Sequence, residues 1–273
     1  MSHAHHWTLS AGPQVENKTQ HAPKGWFIYP MEDVKDLNEQ TRRCFNYSRN
    51  NWRVSLEEKR VKIARINRGV TEQPALPLLL RVEPEMRGRR SVLKFSDSWL
   101  LGFDAGEFGG GLWLSNADGS ETRRISEDNV MGMVPIGDEI LVLLGLAHMD
   151  FDYGNALILS QPHGMNVGLE HAIHLDGEPR AYAKDSDGSV LVVTTYNLSR
   201  IKVTGELDRK VWLPGFTRFQ YANSMVKADD GSIYIGMRMF VLRIRPSEHT
   251  EEWLLPDECR KFHLSQTDCV CEP

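Results

Sequence analysis

The sequence has no apolar run long enough to cross a membrane and no excess of basic residues. Its longest apolar stretch, EILVLLGLAHM from Glu139, falls short of the roughly 20 residues that a transmembrane helix needs. The formal net charge of the 273 residues is -5, and the single basic cluster, RGRRSVLK from Arg87, is short. We therefore expect no membrane span and no nucleic-acid partner.

The N-terminus, MSHAHHWTLSAGPQ, lacks the order of charged, apolar and small residues that is typical of a secretory leader. We expect a cytoplasmic protein, or a periplasmic or extracellular one whose leader has been removed.

Cysteine is scarce and unevenly placed, with Cys44 near one end and Cys259, Cys269 and Cys271 near the other. No C-x-x-C pair is present, which disfavours zinc. Clustering of cysteines at a terminus favours disulfides that fix a tail, with free thiols as the alternative.

Motifs of common enzyme classes are also missing. The sequence has no G-x-x-x-x-G-K-[ST] phosphate loop, and GEFGGG from Gly106 precedes an expected strand instead of a helix. No Ser, His and Asp set or His and Cys pair stands out by its spacing.

A pattern of strand, Asp-Gly turn and strand occurs twice in the second half of the chain. In ADDGSIYIGMRMFVLRI, from Ala228, the turn precedes an apolar strand, and Arg-Ile lies in the next strand. DSDGSVLVVTTYNLSRI, from Asp185, has both landmarks at the same offset. In each unit a further strand then ends at Leu-Pro. The pattern of each unit therefore predicts a four-stranded antiparallel sheet.

Two weaker units lie upstream, with turns at Asp97-Ser98 and Gly137-Asp138, so the turns recur at steps of about 40, 50 and 43 residues. Such a period with four strands per unit is typical of a β-propeller, in which small sheets that are apolar on both faces stack around an axis. NWRVSLEEKRVKIARI, from Asn51, predicts another hairpin. We expect an all-β fold, a β-propeller of about five four-stranded antiparallel blades, with six as the alternative.

We place the propeller at residues 45–258, with one blade combining strands from both chain ends. Residues 1–44 are expected to form an irregular or partly helical N-terminal extension, with a short helix in PMEDVKDLNEQTRRCF from Pro30. Residues 259–273 are expected to form a cysteine-containing tail.

The two later units resemble the repeats of bacterial propellers of the streptogramin-lyase and NHL type, in which a D-G turn precedes an apolar strand and an R-I strand follows. The resemblance covers Pro179 to Pro256 well and Ser91 to Ser160 loosely. The lyases of that group use histidine and glutamate from blade loops, whereas the corresponding loops here read TTYN and GMRM. The resemblance therefore implies the fold, and this departure argues against lyase activity.

Two enlarged upstream loops, GFDAGEFGGGLWLS from Gly102 and GLAHMDFDYGNALILS from Gly145, combine acids with aromatic residues. One hypothesis is a calcium site whose oxygen ligands are Asp104, Glu107, Asp150 and Asp152. The alternative is that these acids are solvated loop residues. The second hypothesis is that three aromatic side chains are exposed anchors for a protein partner: Phe108, Phe151 and Tyr153. The alternative is that they pack on their own loops. Tyr196 and Arg238 occupy equivalent loops in the later units, and Arg238 is a candidate partner for the acidic loops.

We therefore expect a non-catalytic propeller that binds a protein partner, a basic one, through its loops. One version is a bacterial immunity or inhibitor protein that blocks a toxin. The alternative is a calcium-dependent hydrolase or lactonase-like enzyme, with calcium as the one cofactor considered. We expect a monomer.

Overall fold

The structure is a computed structural model that describes residues 22–29, 48, 50–66, 73–95, 97–160, 164–212 and 221–261. The described residues form nineteen strands and two short 3₁₀ helices, which confirms the all-β prediction. None of the helices in these ranges is long and apolar enough to cross a membrane. The chain divides into two compact units: unit 1 comprises Met1–Arg68 and Pro214–Pro273, and unit 2 comprises Gly69–Leu213. The predicted boundaries at residues 44 and 258 stay predictions.

The strands are, in chain order, β1 (Trp26–Tyr29), β2 (Trp52–Glu57), β3 (Arg60–Arg65), β4 (Arg89–Phe95), β5 (Ser98–Asp104), β6 (Gly110–Asn116), β7 (Thr122–Ser126), β8 (Val130–Ile136), β9 (Glu139–His148), β10 (Phe151–Ser160), β11 (Leu169–Leu175), β12 (Pro179–Lys184), β13 (Val190–Thr194), β14 (Asn197–Ile201), β15 (Leu207–Trp212), β16 (Ser224–Lys227), β17 (Ile233–Gly236), β18 (Val241–Arg245) and β19 (Thr250–Pro256). The 3₁₀ helices are Gly106–Phe108 and Asp257–Lys261.

Unit 2 consists of three four-stranded antiparallel sheets, β4–β7, β8–β11 and β12–β15, each with neighbouring strands in chain order. Each sheet begins with the strand, turn and strand expected from the repeats. The turns at Gly137-Asp138 and Asp187-Gly188 lie between paired strands as predicted, while Ser98 is already the first residue of β5. The meander in each unit of the repeat is thus confirmed, whereas the number of blades stays a prediction.

The core of unit 2 lies between successive sheets. Leu100 and Leu112 of the first sheet pack against Val142 of the second. On the opposite face of the second sheet, Leu143 packs in a cluster with Val192 of the third. The middle sheet therefore buries both faces, which is the physical reason why its strands are apolar at consecutive positions.

Glycines allow strands of neighbouring sheets to approach one another closely. A Cβ atom at Gly132 of β8 would lie 2.1 Å from the ring of Tyr182 on β12, and one at Gly102 of β5 would lie 2.5 Å from Val130 on β8. Both distances are shorter than any side chain tolerates, so the packing of neighbouring sheets requires glycine at these two positions.

Unit 1 contains a five-stranded sheet in the order β1-β19-β18-β17-β16, so strands from both ends of the chain share one sheet. The strand β1, which the sequence did not indicate, lies within the N-terminal extension that we expected to be mostly irregular or partly helical. Pairing with the edge of β19 satisfies its backbone polar groups. The helix expected from Pro30 lies outside the described residues.

The predicted hairpin is present as β2 and β3. It packs on the five-stranded sheet through Trp52, whose ring lies edge-on to Trp26 at a centroid distance of 4.8 Å. The indole nitrogen of Trp52 donates to the carbonyl of Met239 at 3.2 Å. Unit 1 therefore has its own apolar core.

Cys259 is buried in unit 1, with 1% of its surface exposed, and it is not free. The other three cysteines, Cys44, Cys269 and Cys271, lie outside the described residues. Disulfide pairing in the tail therefore stays a prediction.

Candidate functional site on the loops of unit 2

One end of unit 2 collects most of the residues singled out from the sequence. Because strands alternate in direction, the β5–β6, β9–β10 and β13–β14 loops lie at the same end as the β7–β8 and β11–β12 connections. We call this end the loop face; it comprises residues 104–110, 126–129, 147–153, 176–179 and 194–197.

Asp152 joins the loops of the second and third sheets. Its Oδ1 atom accepts hydrogen bonds from the backbone N–H of Glu178 at 2.8 Å and from the Oγ1 hydroxyl of Thr195 at 3.1 Å. Its Oδ2 atom is buried and accepts no hydrogen bond. The carboxylate therefore acts as a structural tie in the loop face.

Asn129 makes the equivalent connection between the first and second sheets. Its amide nitrogen donates to the carbonyl of Gly106 at 3.0 Å, and its Oδ1 atom accepts from the backbone N–H of Ala105 at 3.3 Å. Nearby, the Tyr153 hydroxyl donates to Asp128 Oδ1 at 3.0 Å. Burial, with help from Asp128, raises the pKa of Tyr153 to about 12, so this hydroxyl keeps its proton and remains a donor.

Two phenylalanines protrude from the loop face. Phe108, at the end of the first 3₁₀ helix, is 66% exposed, and Phe151, at the start of β10, is 71% exposed. Met149, in the turn before Phe151, is 83% exposed. Both rings are exposed as predicted, whereas Tyr153, the third predicted anchor, is half-buried and donates to Asp128. Binding of a partner by these residues stays a prediction.

A contact between a carboxylate and an imidazole lies beside these phenylalanines. Glu107 Oε2, next to Phe108, is 2.7 Å from Nε2 of His148, the residue directly opposite Phe151 in the hairpin. The imidazole nitrogen is not aligned for a hydrogen bond with the carboxylate. The contact connects the loop of the first sheet to the hairpin of the second.

Of the four acids expected to bind calcium, three contact other protein groups and the fourth is exposed. Asp104 Oδ2 is 3.2 Å from the Arg89 guanidinium, Glu107 contacts His148, and Asp152 holds the loops as described. Asp150 is an exposed turn residue. Across the described ranges, no group of three or more His, Cys, Asp or Glu side chains is arranged to hold a metal ion. The calcium site stays a prediction without support from this geometry.

Glu178 is a buried carboxyl group that the sequence interpretation missed. It is 6% exposed, and its Oε2 atom is 2.6 Å from Arg180 Nε, although that N–H does not point at the oxygen. Burial raises the pKa of Glu178; Arg180 opposes the increase, and the charges of Asp104 and Asp152 add to it. In the sequence this position is the middle residue of Gly-Glu-Pro at the start of β12, and nothing in that tripeptide indicates burial.

The two remaining candidates are both half-buried. Tyr196 is half-buried, and its ring lies beside Gly177. Arg238 belongs to unit 1, where its guanidinium lies 4.0 Å from the centre of the Tyr221 ring. The predicted pairing of Arg238 with the acidic loops stays a prediction.

No family model matches the chain, and no curated protein matches it. Among solved structures, the extracellular domain of a putative one component system from B. thetaiotaomicron is similar at 12% identity over 76% of this chain and 28% of that one, with a TM-score of 0.42. A gluconolactonase from Xanthomonas campestris is 14% identical over 60% and 55% of the two chains, with a TM-score of 0.35. A streptogramin B lyase is 11% identical over 77% and 70%, with a TM-score of 0.41.

The chain spans less than two thirds of the length of the first two of these proteins. The predicted likeness to propellers of the streptogramin-lyase type is found, at low sequence identity. It assigns no activity and no residue role to this chain, because folds of this kind carry unrelated functions.

Proposed function

We propose that this protein is a non-catalytic binding scaffold whose loop face binds a basic protein partner. The observation that carries the proposal is the pair of exposed phenylalanines, Phe108 and Phe151, on either side of the Glu107–His148 contact. Exposed aromatic side chains on a fixed surface are typical anchors of protein interfaces.

Rigid loops favour this role. Asp152 and Asn129 each join loops of neighbouring sheets, and the β9–β10 hairpin is paired along its full length up to His148 and Phe151. A surface that is held in its binding conformation loses little conformational entropy when a partner binds. The backbone that carries Phe108 and Phe151 is therefore held in place before a partner binds.

The charge of the loop face favours a basic partner. Acidic side chains outnumber basic ones there; the acids are Asp104, Glu107, Glu127, Asp128, Asp150, Asp152, Asp176 and Glu178. Arginines contact three of these acids, Arg89 with Asp104, Arg124 with Glu127 and Arg180 with Glu178. Excess negative charge around apolar anchors speeds association with a positively charged surface and disfavours an acidic one.

The narrower version of this function, an immunity or inhibitor protein that blocks a toxin, stays a prediction. The described residues carry no feature that selects a toxin among basic partners.

A hydrolase is the second candidate, and Glu178 is the observation in its favour. A carboxyl group with a raised pKa in a loop region is what general acid catalysis requires. Its contact with Arg180 and its burial are equally those of a structural ion pair. We therefore place the hydrolase second to the binding scaffold.

Capture of proteins from the native cell lysate tests the first proposal. The immobilised wild type is compared with the double variant Phe108→Ala/Phe151→Ala, and Leu169→Ala, an exposed leucine on β11, serves as the matched control. We expect the double variant to lose a basic protein that wild type and control both retain, with a loss of more than about tenfold in affinity once that protein is purified. Equal recovery by all three proteins would contradict the proposal.

A further inference from the structure

Residues 76–86 form an irregular strap that packs on the first sheet of unit 2. Leu76, Leu80 and Met86 lie in a cluster with Phe103 and Trp113 of that sheet. The backbone N–H of Leu79 donates to the carbonyl of Asp118 at 2.8 Å. The strap is therefore held by both apolar packing and a backbone hydrogen bond.

The opposite side of the strap presents apolar side chains to solvent. Leu78 is 93% exposed, Leu79 is 58% exposed and Val82 is 57% exposed. Since Leu76 and Leu80 are directed into the cluster, the packing of the strap itself keeps these three side chains outside. Adjacent exposed apolar side chains on a fixed segment are typical of an interaction surface.

Unused charges of both signs accompany this patch. Arg81 is exposed, and Glu83 and Glu85 are half-exposed. None of the three forms an ion pair or a side-chain hydrogen bond in the part of the chain that the structure describes. In a two-fold dimer the same patch of each copy faces the other, so a patch with free charges of both signs supplies its own opposite charges.

We propose that the strap is a self-association surface, on which a second copy of this chain docks about a two-fold axis. Leu78, Leu79 and Val82 of the two copies face one another, and Arg81 of each copy approaches Glu83 and Glu85 of the other. A standard stable protein–protein interface buries about 800 Å² on each partner, more than three apolar side chains supply. The association is therefore weak and depends on concentration, in contrast to the monomer expected from the sequence.

Sedimentation velocity of the full chain over a concentration series tests this surface. The wild type is expected to shift from monomer to dimer as concentration rises. Leu78→Ser should weaken the association by more than about tenfold, because burial of a leucine side chain is lost. Because Leu78 is exposed, replacing it should not unfold the protein. An unchanged melting temperature of Leu78→Ser would show this. Leu169→Ser, at another exposed leucine, is the matched control and should behave as wild type.

An exchange of charge separates a second copy from any other occupant. Arg81→Glu makes the charged positions of the patch uniformly acidic, and Glu83→Lys/Glu85→Lys makes them uniformly basic. Each variant alone should stay monomeric at concentrations where wild type dimerises, because like charges oppose one another. An equimolar mixture of the two should form a heterodimer at least as readily as wild type self-associates.

Three outcomes would overturn the proposal: wild type that is monomeric at every concentration, dimerisation that Leu78→Ser leaves intact, or variants that fail to associate when mixed. Phe108→Ala/Phe151→Ala should dimerise like wild type. The self-association surface and the proposed loop face can therefore fail independently.

Discussion

The Oδ1 atom of Asp152 lies 2.8 Å from the backbone nitrogen of Glu178, so a side chain of the second sheet of unit 2 holds the first residues of the third. The same oxygen accepts from Thr195 at 3.1 Å. Asp152 thus stabilises two loops on which the proposed binding surface depends, although its residue type and position had indicated a calcium ligand.

Removal of the Asp152 carboxylate should destabilise the protein. Asp152→Ala is expected to lower the free energy of unfolding by about 2 kcal/mol, because two donors lose a charged acceptor. Asp150→Ala, at the exposed turn position two residues earlier, should change it by less than about 0.5 kcal/mol. Chemical denaturation of both variants beside wild type measures the difference. Equal values for the two would show that the contacts of Asp152 contribute nothing.

The repeats allowed prediction of local structure because their signals are local. The Asp-Gly turns and apolar residues predicted the strands β12–β14 and β16–β18 well, because each of these strands pairs with its neighbour in sequence. The strand β1 was missed because its partner, β19, lies at the opposite end of the chain. Four apolar or aromatic residues near a long polar segment carry no sign of such a distant partner.

The loop face was predictable in its exposed residues and unpredictable in its buried ones. Phe108 and Phe151 lie in enlarged loops rich in glycine and acids, and this context indicated exposure correctly. Glu178 and Asn129 become buried only when neighbouring sheets pack together, which leaves no pattern in the sequence. For the same reason, the acids of the loops could be counted but their individual contacts with Arg89, His148 and Thr195 could not be predicted.

Glu178 should make the stability of the protein depend on pH. Its pKa in the folded protein is raised above the ordinary 4.5, so the folded state holds this proton more strongly than the unfolded chain does. The resulting stabilisation is fully present below about pH 4.5 and is lost as pH rises through the folded-state pKa.

Glu178→Gln lacks this titration. Relative to wild type, its free energy of unfolding should therefore increase as pH is raised from about 4 to about 8. Denaturant titrations across this range measure the change, with Glu121→Gln, at an exposed position, as the control. A constant difference between Glu178→Gln and wild type would mean that Glu178 titrates alike in the folded and unfolded states.

The contact between Gly132 and Tyr182 should be sensitive to one added methyl group. Gly132→Ala would place its Cβ atom 2.1 Å from the Tyr182 ring, and we expect a loss of about 2 to 3 kcal/mol in the free energy of unfolding.

Tyr182→Leu provides the test of that explanation. The double variant Gly132→Ala/Tyr182→Leu should lose clearly less stability than the two single losses together, because the smaller side chain makes room for the methyl group. Additive losses would show that glycine at position 132 serves the backbone of β8 and not the approach of β12.

Calcium should have no effect on thermal stability if the loop face is a protein-binding surface. Three of the four candidate ligands already have contacts, Asp104 with Arg89, Glu107 with His148 and Asp152 with Glu178 and Thr195. A cation bound only by the folded protein would raise its melting temperature by mass action. We therefore expect the same melting temperature after chelation and after addition of calcium in excess. A reversible increase with calcium that Asp104→Asn abolishes would instead favour the hydrolase, and lactone and ester hydrolysis would then be the activities to measure.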